Sequence, residues 1–174
     1  EDALEGCQRI RGIVRGLGTF SRVEATQLTP VNVMQVIEVA INMAYNEVKY
    51  RARLVKDYDR VPLVMASEGR LSQVFLNLII NATHAIDEGD VEHNQIRIRT
   101  WTEAGQACAE IRDTGRGIPP ENIPKLFEPF FTTKKIGVGS GLGLAISKSI
   151  VESYGGSISV QSEPGTGTSF SIRL

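Results

Sequence analysis

The chain has 174 residues, 41% of them hydrophobic, with 19 basic against 20 acidic side chains and a formal net charge of −1. That length suffices for one full hydrophobic core plus an appendage, and the near-neutral balance lacks the broad basic field on which nucleic-acid binding draws. No apolar run approaches the roughly 18 residues of a membrane span, and Cys7 and Cys108, without a signal-peptide pattern, fit free thiols of a cytoplasmic domain better than a disulfide framework.

The sequence opens at Glu1 in mid-pattern, so it reads as part of a longer protein, cytoplasmic or attached to the inner membrane by upstream segments. Ala3, Cys7, Ile10, Val14, Leu17 and Ser21 recur at alternating steps of four and three, the spacing of a helical seam that packs on a second helix. Gly6, Gly12, Gly16 and Gly18 each weaken such a helix by about 1 kcal/mol relative to Ala, so it should need a partner; a surface helix of the same domain is the alternative. We expect a helical stub over residues 1–26 and the main domain over 27–174.

Thr29 to Val33 reads as a short strand, and Met34 to Val48 carries Val36, Ile37, Ala40, Ile41, Ala44 and Val48 at the helical period. Arg53 to Tyr58 and Val61 to Met65 read as two strands parted by Asp59 and Arg60. Ser67 is placed to cap a helix from Glu68 to Ile86 whose Leu71, Val74, Phe75, Leu78, Ile79, Ala82, Ala85 and Ile86 form one apolar face. Along the edge of that face Asn77, Asn81 and His84 make a polar stripe at steps of four and three. Amides at a helix edge are often no more than satisfied core-boundary groups.

Ile96 to Glu103 and Gln106 to Arg112 alternate around Gly105, a hairpin that delivers Asp113 at its end. Pro119 opens a short helix through Leu126, followed by Phe127, Phe130 and Phe131, which would serve equally as core. Thr132 to Gly141 offers only Ile136 and Val138 for burial between aromatic and glycine flanks, and so reads as a mobile lid that orders over a ligand. Leu142 to Tyr154 is a helix stopped by Gly155 and Gly156, and Ser157 to Gln161 with Thr168 to Leu174 closes the chain as a strand pair.

Ten of the 17 glycines follow Asp113. Glycine is tolerated where backbone takes positive φ or approaches a ligand closely, so this clustering suggests a surface built from main-chain N–H groups, a common cradle for phosphate beside a helix start. We expect a nucleotide site in which Asp113 reads the base and the later glycines cover the phosphates. The usual glycine motifs fail: no G-x-x-x-x-G-K-[ST] is present, and Gly137 to Gly143, spaced by twos, supplies no G-x-G-x-x-G.

The motifs together resemble the ATP-binding catalytic domain of bacterial sensor histidine kinases, within the Bergerat-fold (GHKL) ATPases, and the likeness covers essentially the whole chain. Asn77-Leu-Ile-Ile-Asn81-Ala is similar to that family's N box, Asp113-x-Gly115-x-Gly117 to its first glycine box and Phe127 to Phe131 to its F box. Gly139-x-Gly141-Leu-Gly143-Leu resembles the second glycine box and Gly167-Thr168 the terminal one, in the family's order. The run Phe-Phe-Thr-Thr-Lys is similar to the nitrogen-regulation type.

The resemblance implies a two-layer α/β sandwich with a mixed sheet of about five strands under three helices, binding ATP and Mg²⁺ between helices and lid. It implies that Asn81 coordinates Mg²⁺ and that Asp113 accepts from the adenine amino group, with Thr168 nearby through water. His84 stands where the family often places a basic phosphate contact, a solvated helix-face role being the alternative; Lys134 or Lys135 would likewise reach phosphate or remain solvated. Further nucleotide contacts are implied for Asn77, Gly115, Gly117, Ile118, Phe131, Gly139, Ser140, Gly141, Leu142 and Gly143. Related ATP hydrolases carry a Glu at the position of Asn77 to activate water, and asparagine cannot take that proton. The resemblance therefore favours a protein-histidine kinase over a hydrolase of the same fold, the other rival being a non-catalytic nucleotide-gated module. Its acceptor would be a histidine on an upstream dimerisation hairpin, because His84 and His93 lie outside any acceptor box, and residues 1–26 would end that hairpin. A homodimer and a response-regulator receiver domain are the partners implied.

Overall fold

The computed structural model describes residues 28–134 and 139–174; the seam over residues 3–21, Cys7, the expected stub over 1–26 and Lys135 to Val138 lie outside them. Three α-helices, α1 (Val33–Val48), α2 (Glu68–Ala85) and α3 (Gly143–Ser153), cover one face of a mixed sheet. The sheet comprises β2 (Arg53–Tyr58), β4 (Gln95–Glu103), β5 (Gln106–Asp113), β6 (Ser157–Glu163) and β7 (Gly167–Arg173), in the order β2-β4-β5-β7-β6. Only β2 and β4 run parallel, and α2 lies in the connection between them, the length of crossover that parallel pairing demands. A separate ribbon pairs β1 (Thr29–Val31) with β3 (Val64–Ala66).

Strand alternation fixes the layers. Ile96, Ile98 and Thr100 of β4, Ala107, Ala109 and Ile111 of β5, and Phe170 and Ile172 of β7 are buried toward the helices, while Arg97, Arg99, Arg112 and Arg173 point to solvent on the other face. Register aligns these residues into rows across the sheet. Val160, Phe170, Ile111 and Ile98 form one row, and the next row toward the sheet's end is Ser162, Thr168, Asp113 and Ile96. Asp113 thus continues the core-facing alternation of β5 one step past its last apolar residue, and the carboxylate arrives under the helices without any special turn.

Helix caps follow the sequence closely. Asn32 accepts from the Met34 amide at 3.0 Å and starts α1, one residue earlier than the period alone suggests. Ser67 caps α2, and Gly155 and Gly156 donate to Glu152 and Val151 to stop α3. The expected strand Val61 to Met65 is displaced to Val64–Ala66, since Pro62 has no amide to give to a ladder, and it joins β1 rather than the main sheet. The first strand ends at Val31 because Asn32 and Val33 are taken by the start of α1. Among the described residues no helix is long and apolar enough to cross a membrane, and Cys108 is a buried free thiol.

Candidate functional site

Asp113 is 3% exposed, and its Oδ1 accepts from the amides of Gly115 at 2.8 Å and Thr168 at 3.3 Å. Both bonds fall on one oxygen, so among the described residues Oδ2 takes no hydrogen bond. Burial pushes this carboxyl up to about 6, against the lowering effect of the two amides. Gly167 lies opposite with φ +126, and a Cβ there would collide with the Asp113 carbonyl, so the turn before β7 closes on the acid only as glycine.

Polar neighbours extend the end row. Thr168 Oγ1 lies 2.8 Å from Ser162 Oγ, which also donates to the Gly167 carbonyl and accepts from the Ile118 amide at 2.8 Å. Ser162 thereby ties β6, β7 and the loop holding Gly117 and Ile118 to the same end of the sheet. Gly115 and Gly117 run along main chain: the amide of Arg116, between them, donates to the Ala85 carbonyl at the end of α2.

On α2 the predicted stripe is realised, but its members do different things. Asn77 Nδ2 donates to Ser147 Oγ of α3 at 3.0 Å, and its side chain packs against the backbone of Gly143, where a Cβ would collide with it. Asn77 is therefore engaged between two helices. Asn81 Oδ1 accepts from the Lys134 ammonium at 3.1 Å, and that ammonium also lies 3.0 Å from His84 Nδ1. His84 Nε2 lies 3.1 Å from Glu47 Oε2, on α1. Burial, with the Lys134 ammonium beside it, pushes the His84 imidazole below its ordinary pKa of 6.5, and burial likewise lowers Lys134. His84 and Lys134 are both partly buried and lie within hydrogen-bond distance of each other.

Around the loop from Phe131 to Leu142 the structure is specific at its neck. The Phe130 amide donates to the Gly141 carbonyl at 2.9 Å, the Phe131 amide to Glu128 at 3.2 Å, and Ser140 Oγ accepts from the Leu142 amide at 3.3 Å. Gly139 packs on Thr132 and Lys134, and Leu142 is buried just before α3. Phe127 packs on the core. Phe130, expected to anchor this segment by burial, is instead 62% exposed with φ +68, so at that position the anchor is the backbone hydrogen bond and not the ring. A cavity of about 240 Å³ walled by Ile41, Val48, Ala52, Leu54, Ile79 and Val91 shares no residue with this site.

Sequence reasoning missed Glu47, Ser147 and Ser162. Glu47 is one polar residue among several on an exposed helix face and Ser162 one on an alternating strand, whereas Ser147 is buried among the apolar residues of α3; only tertiary contact singles each out.

A mixed five-stranded sheet under one helical layer, with a buried acid and glycine turns at one end of the sheet, places the chain in the class of two-layer α/β sandwich domains. Residues 66–174 match the family model described as histidine kinase-, DNA gyrase B- and HSP90-like ATPase, and the chain belongs to that family, in its sensor histidine kinase branch. It is 36% identical, over all of its length, to the C4-dicarboxylate transport sensor protein DctB of Rhizobium meliloti, of which it covers 28%. It is 33% identical to the sensory histidine kinase/phosphatase NtrB of Rhizobium leguminosarum bv. phaseoli over 89% of this chain and 43% of that protein, in keeping with the nitrogen-regulation likeness. The full-length ShkA structure in complex with AMPPNP aligns with a TM-score of 0.79 and 25% identity, covering 98% of this chain and 36% of ShkA. The chain thus spans less than half the length of each of these relatives. Nucleotide use comes with the family, and the relatives named here are themselves sensor kinases.

Proposed function

We propose that this domain binds ATP with the adenine amino group donating to Asp113 Oδ2, and passes the γ-phosphoryl group to a histidine on an acceptor hairpin of the same protein. The observation that carries the reading is the asymmetry of Asp113: a buried carboxylate with one oxygen held by two amides and the other without a donor among the described residues. That oxygen is open to the surface and free to accept, and an amino group is a donor that fits it. Ile118 and Thr168 flank that oxygen's end of the sheet, with Ser162 fixing both, and Gly115 and Gly117 let main chain approach the base. Phe131, Gly139, Ser140, Gly141, Leu142 and Gly143 then lie along the triphosphate, with Lys134 at its end.

Mg²⁺ suits the donor set. Asn81 Oδ1 is a hard oxygen that already attracts a cation, the Lys134 ammonium. Among the described residues no three His, Cys, Asp or Glu side chains gather as a metal cage, so the fitting ion is one held mainly by phosphates and water. Bound there, the metal would neutralise charge on the phosphate oxygens. In the transfer step the acceptor imidazole nitrogen uses its lone pair to form the N–P bond, the bond from the γ-phosphorus to the bridging oxygen breaks, and ADP leaves with that electron pair. Positioning and charge carry such a reaction, with little need of a base. Asn77, bonded to Ser147, is in keeping with this and not with water activation.

In the whole protein we propose a homodimer, cytoplasmic or attached to the inner membrane, whose phosphohistidine supplies a response-regulator receiver domain. Incubation of the 174-residue chain with γ-labelled ATP and a separate acceptor hairpin tests the transfer. Acid-labile label should appear on the hairpin; substantial label on His84 or His93, or release of phosphate with none on the hairpin, contradicts it.

A further inference from the structure

We infer that Glu47, an exposed residue of α1, is a positioning residue of the nucleotide site: it orients the His84 imidazole so that Nδ1 holds the Lys134 ammonium beside Asn81. The inference rests on the nucleotide reading above and adds a residue outside every motif of the chain. Lys134 can only donate, so His84 Nδ1, 3.0 Å away, must present its lone pair. A neutral imidazole then carries its proton on Nε2, and that N–H needs an acceptor. Glu47 Oε2, at 3.1 Å, is that acceptor.

Three elements meet in this way: α1 through Glu47, α2 through Asn81 and His84, and the loop before α3 through Lys134. Without Glu47 the imidazole is free to adopt the other tautomer, with a proton on Nδ1 facing an ammonium that also donates. That arrangement repels, and Lys134 would leave Asn81. The effect on ligand should therefore concern the terminal phosphate, which Lys134 is placed to meet, and spare the base.

Two substitutions separate orientation from charge. Glu47→Gln keeps an oxygen that accepts from Nε2–H and removes the negative charge; Glu47→Ala removes both. Glu47 is exposed, so neither threatens the core. Nitrogen-15 NMR of the free 174-residue protein should show His84 neutral with the proton on Nε2 in the wild type and in Glu47→Gln, and a mixture of tautomers in Glu47→Ala. Calorimetry with Mg²⁺ should show the ratio of ATP to ADP affinity falling about three- to tenfold in Glu47→Ala, the loss of one well-placed hydrogen bond, and staying within about twofold in Glu47→Gln. Equal changes in both variants would assign the effect to charge alone and overturn the inference, as would an unchanged ratio in both or a wild-type His84 protonated on Nδ1. A wild-type protein that binds neither nucleotide would instead overturn the reading on which the inference stands.

Discussion

The two ends of the site are built by different means. Asp113 is placed by a sheet ladder: it pairs with Ile96 on one side and Thr168 on the other, and its fixed oxygen is held by backbone amides. The opposite end is assembled from the tips of long side chains, with Lys134 reaching Asn81 and His84, and His84 reaching Glu47. A strand-end carboxylate is ordered before any ligand arrives, whereas a lysine gives up rotamer entropy of roughly 2 kcal/mol whenever it is held. The contrast teaches a division of labour, in which base recognition is built on backbone and phosphate recognition on a relay of long side chains that costs more to hold.

The largest effect should come from the prebuilt end. Asp113→Ala is expected to weaken ADP and ATP by roughly 10- to 150-fold, with Mg²⁺ or with EDTA alike, since the lost group touches the base. Calorimetric titrations in the two buffers check this, and a loss confined to the Mg²⁺ buffer would break the division.

A pH series sharpens it. Burial raises Asp113 to about 6 from its ordinary 3.8, so in the free domain the neutral carboxyl predominates below about pH 6 and the carboxylate above it. Its contribution to stability is complete below about pH 3.8 and lost as pH rises through about 6, a difference on the order of 3 kcal/mol. Binding has the opposite sign, because the adenine amino group needs an ionised acceptor. ATP affinity should fall about tenfold per pH unit below about 6 and level off above it. An affinity that stays flat from about pH 5 to pH 8 would remove Asp113 from the base contact.

At the assembled end, Asn81→Ala should weaken ATP by about tenfold in Mg²⁺ and little in EDTA, as expected for a single oxygen ligand of the metal. Equal losses in both buffers would mean that Asn81 meets the nucleotide itself. The smallest effect belongs to the support. Ser162→Ala deprives the Ile118 amide of its acceptor and the Gly167 carbonyl of a donor, and should cost about 1 to 2 kcal/mol, or a Tm lower by roughly 3 to 6 °C. Thermal melts of the free domain decide it, and an unchanged Tm would show that water replaces the hydroxyl.

Most of the sheet was legible because alternation is a local signal. Ile96, Ile98 and Thr100, and Ala107, Ala109 and Ile111, declare both the strands and their buried face, and the same parity carries Asp113 inward. The stripe Asn77, Asn81, His84 was equally local. Pairing partners are not: nothing in Thr29–Val31 or Val64–Ala66 says that these strands form their own ribbon. The exposure of Phe130 was illegible for a related reason, since its positive φ goes with a hydrogen bond to Gly141, eleven residues on. Glu47 carries no local signal whatever, as one acid on the polar face of α1.

The most direct test of the prebuilt base site is the affinity of the wild-type domain for ATP against GTP. Guanine presents a carbonyl oxygen where adenine presents an amino group, and an ionised Asp113 can only accept. Facing acceptor with acceptor in a buried site should cost on the order of 2 to 4 kcal/mol, so near pH 7 ATP should bind roughly 30- to 1000-fold more tightly than GTP. Affinities within about threefold of each other would contradict the account.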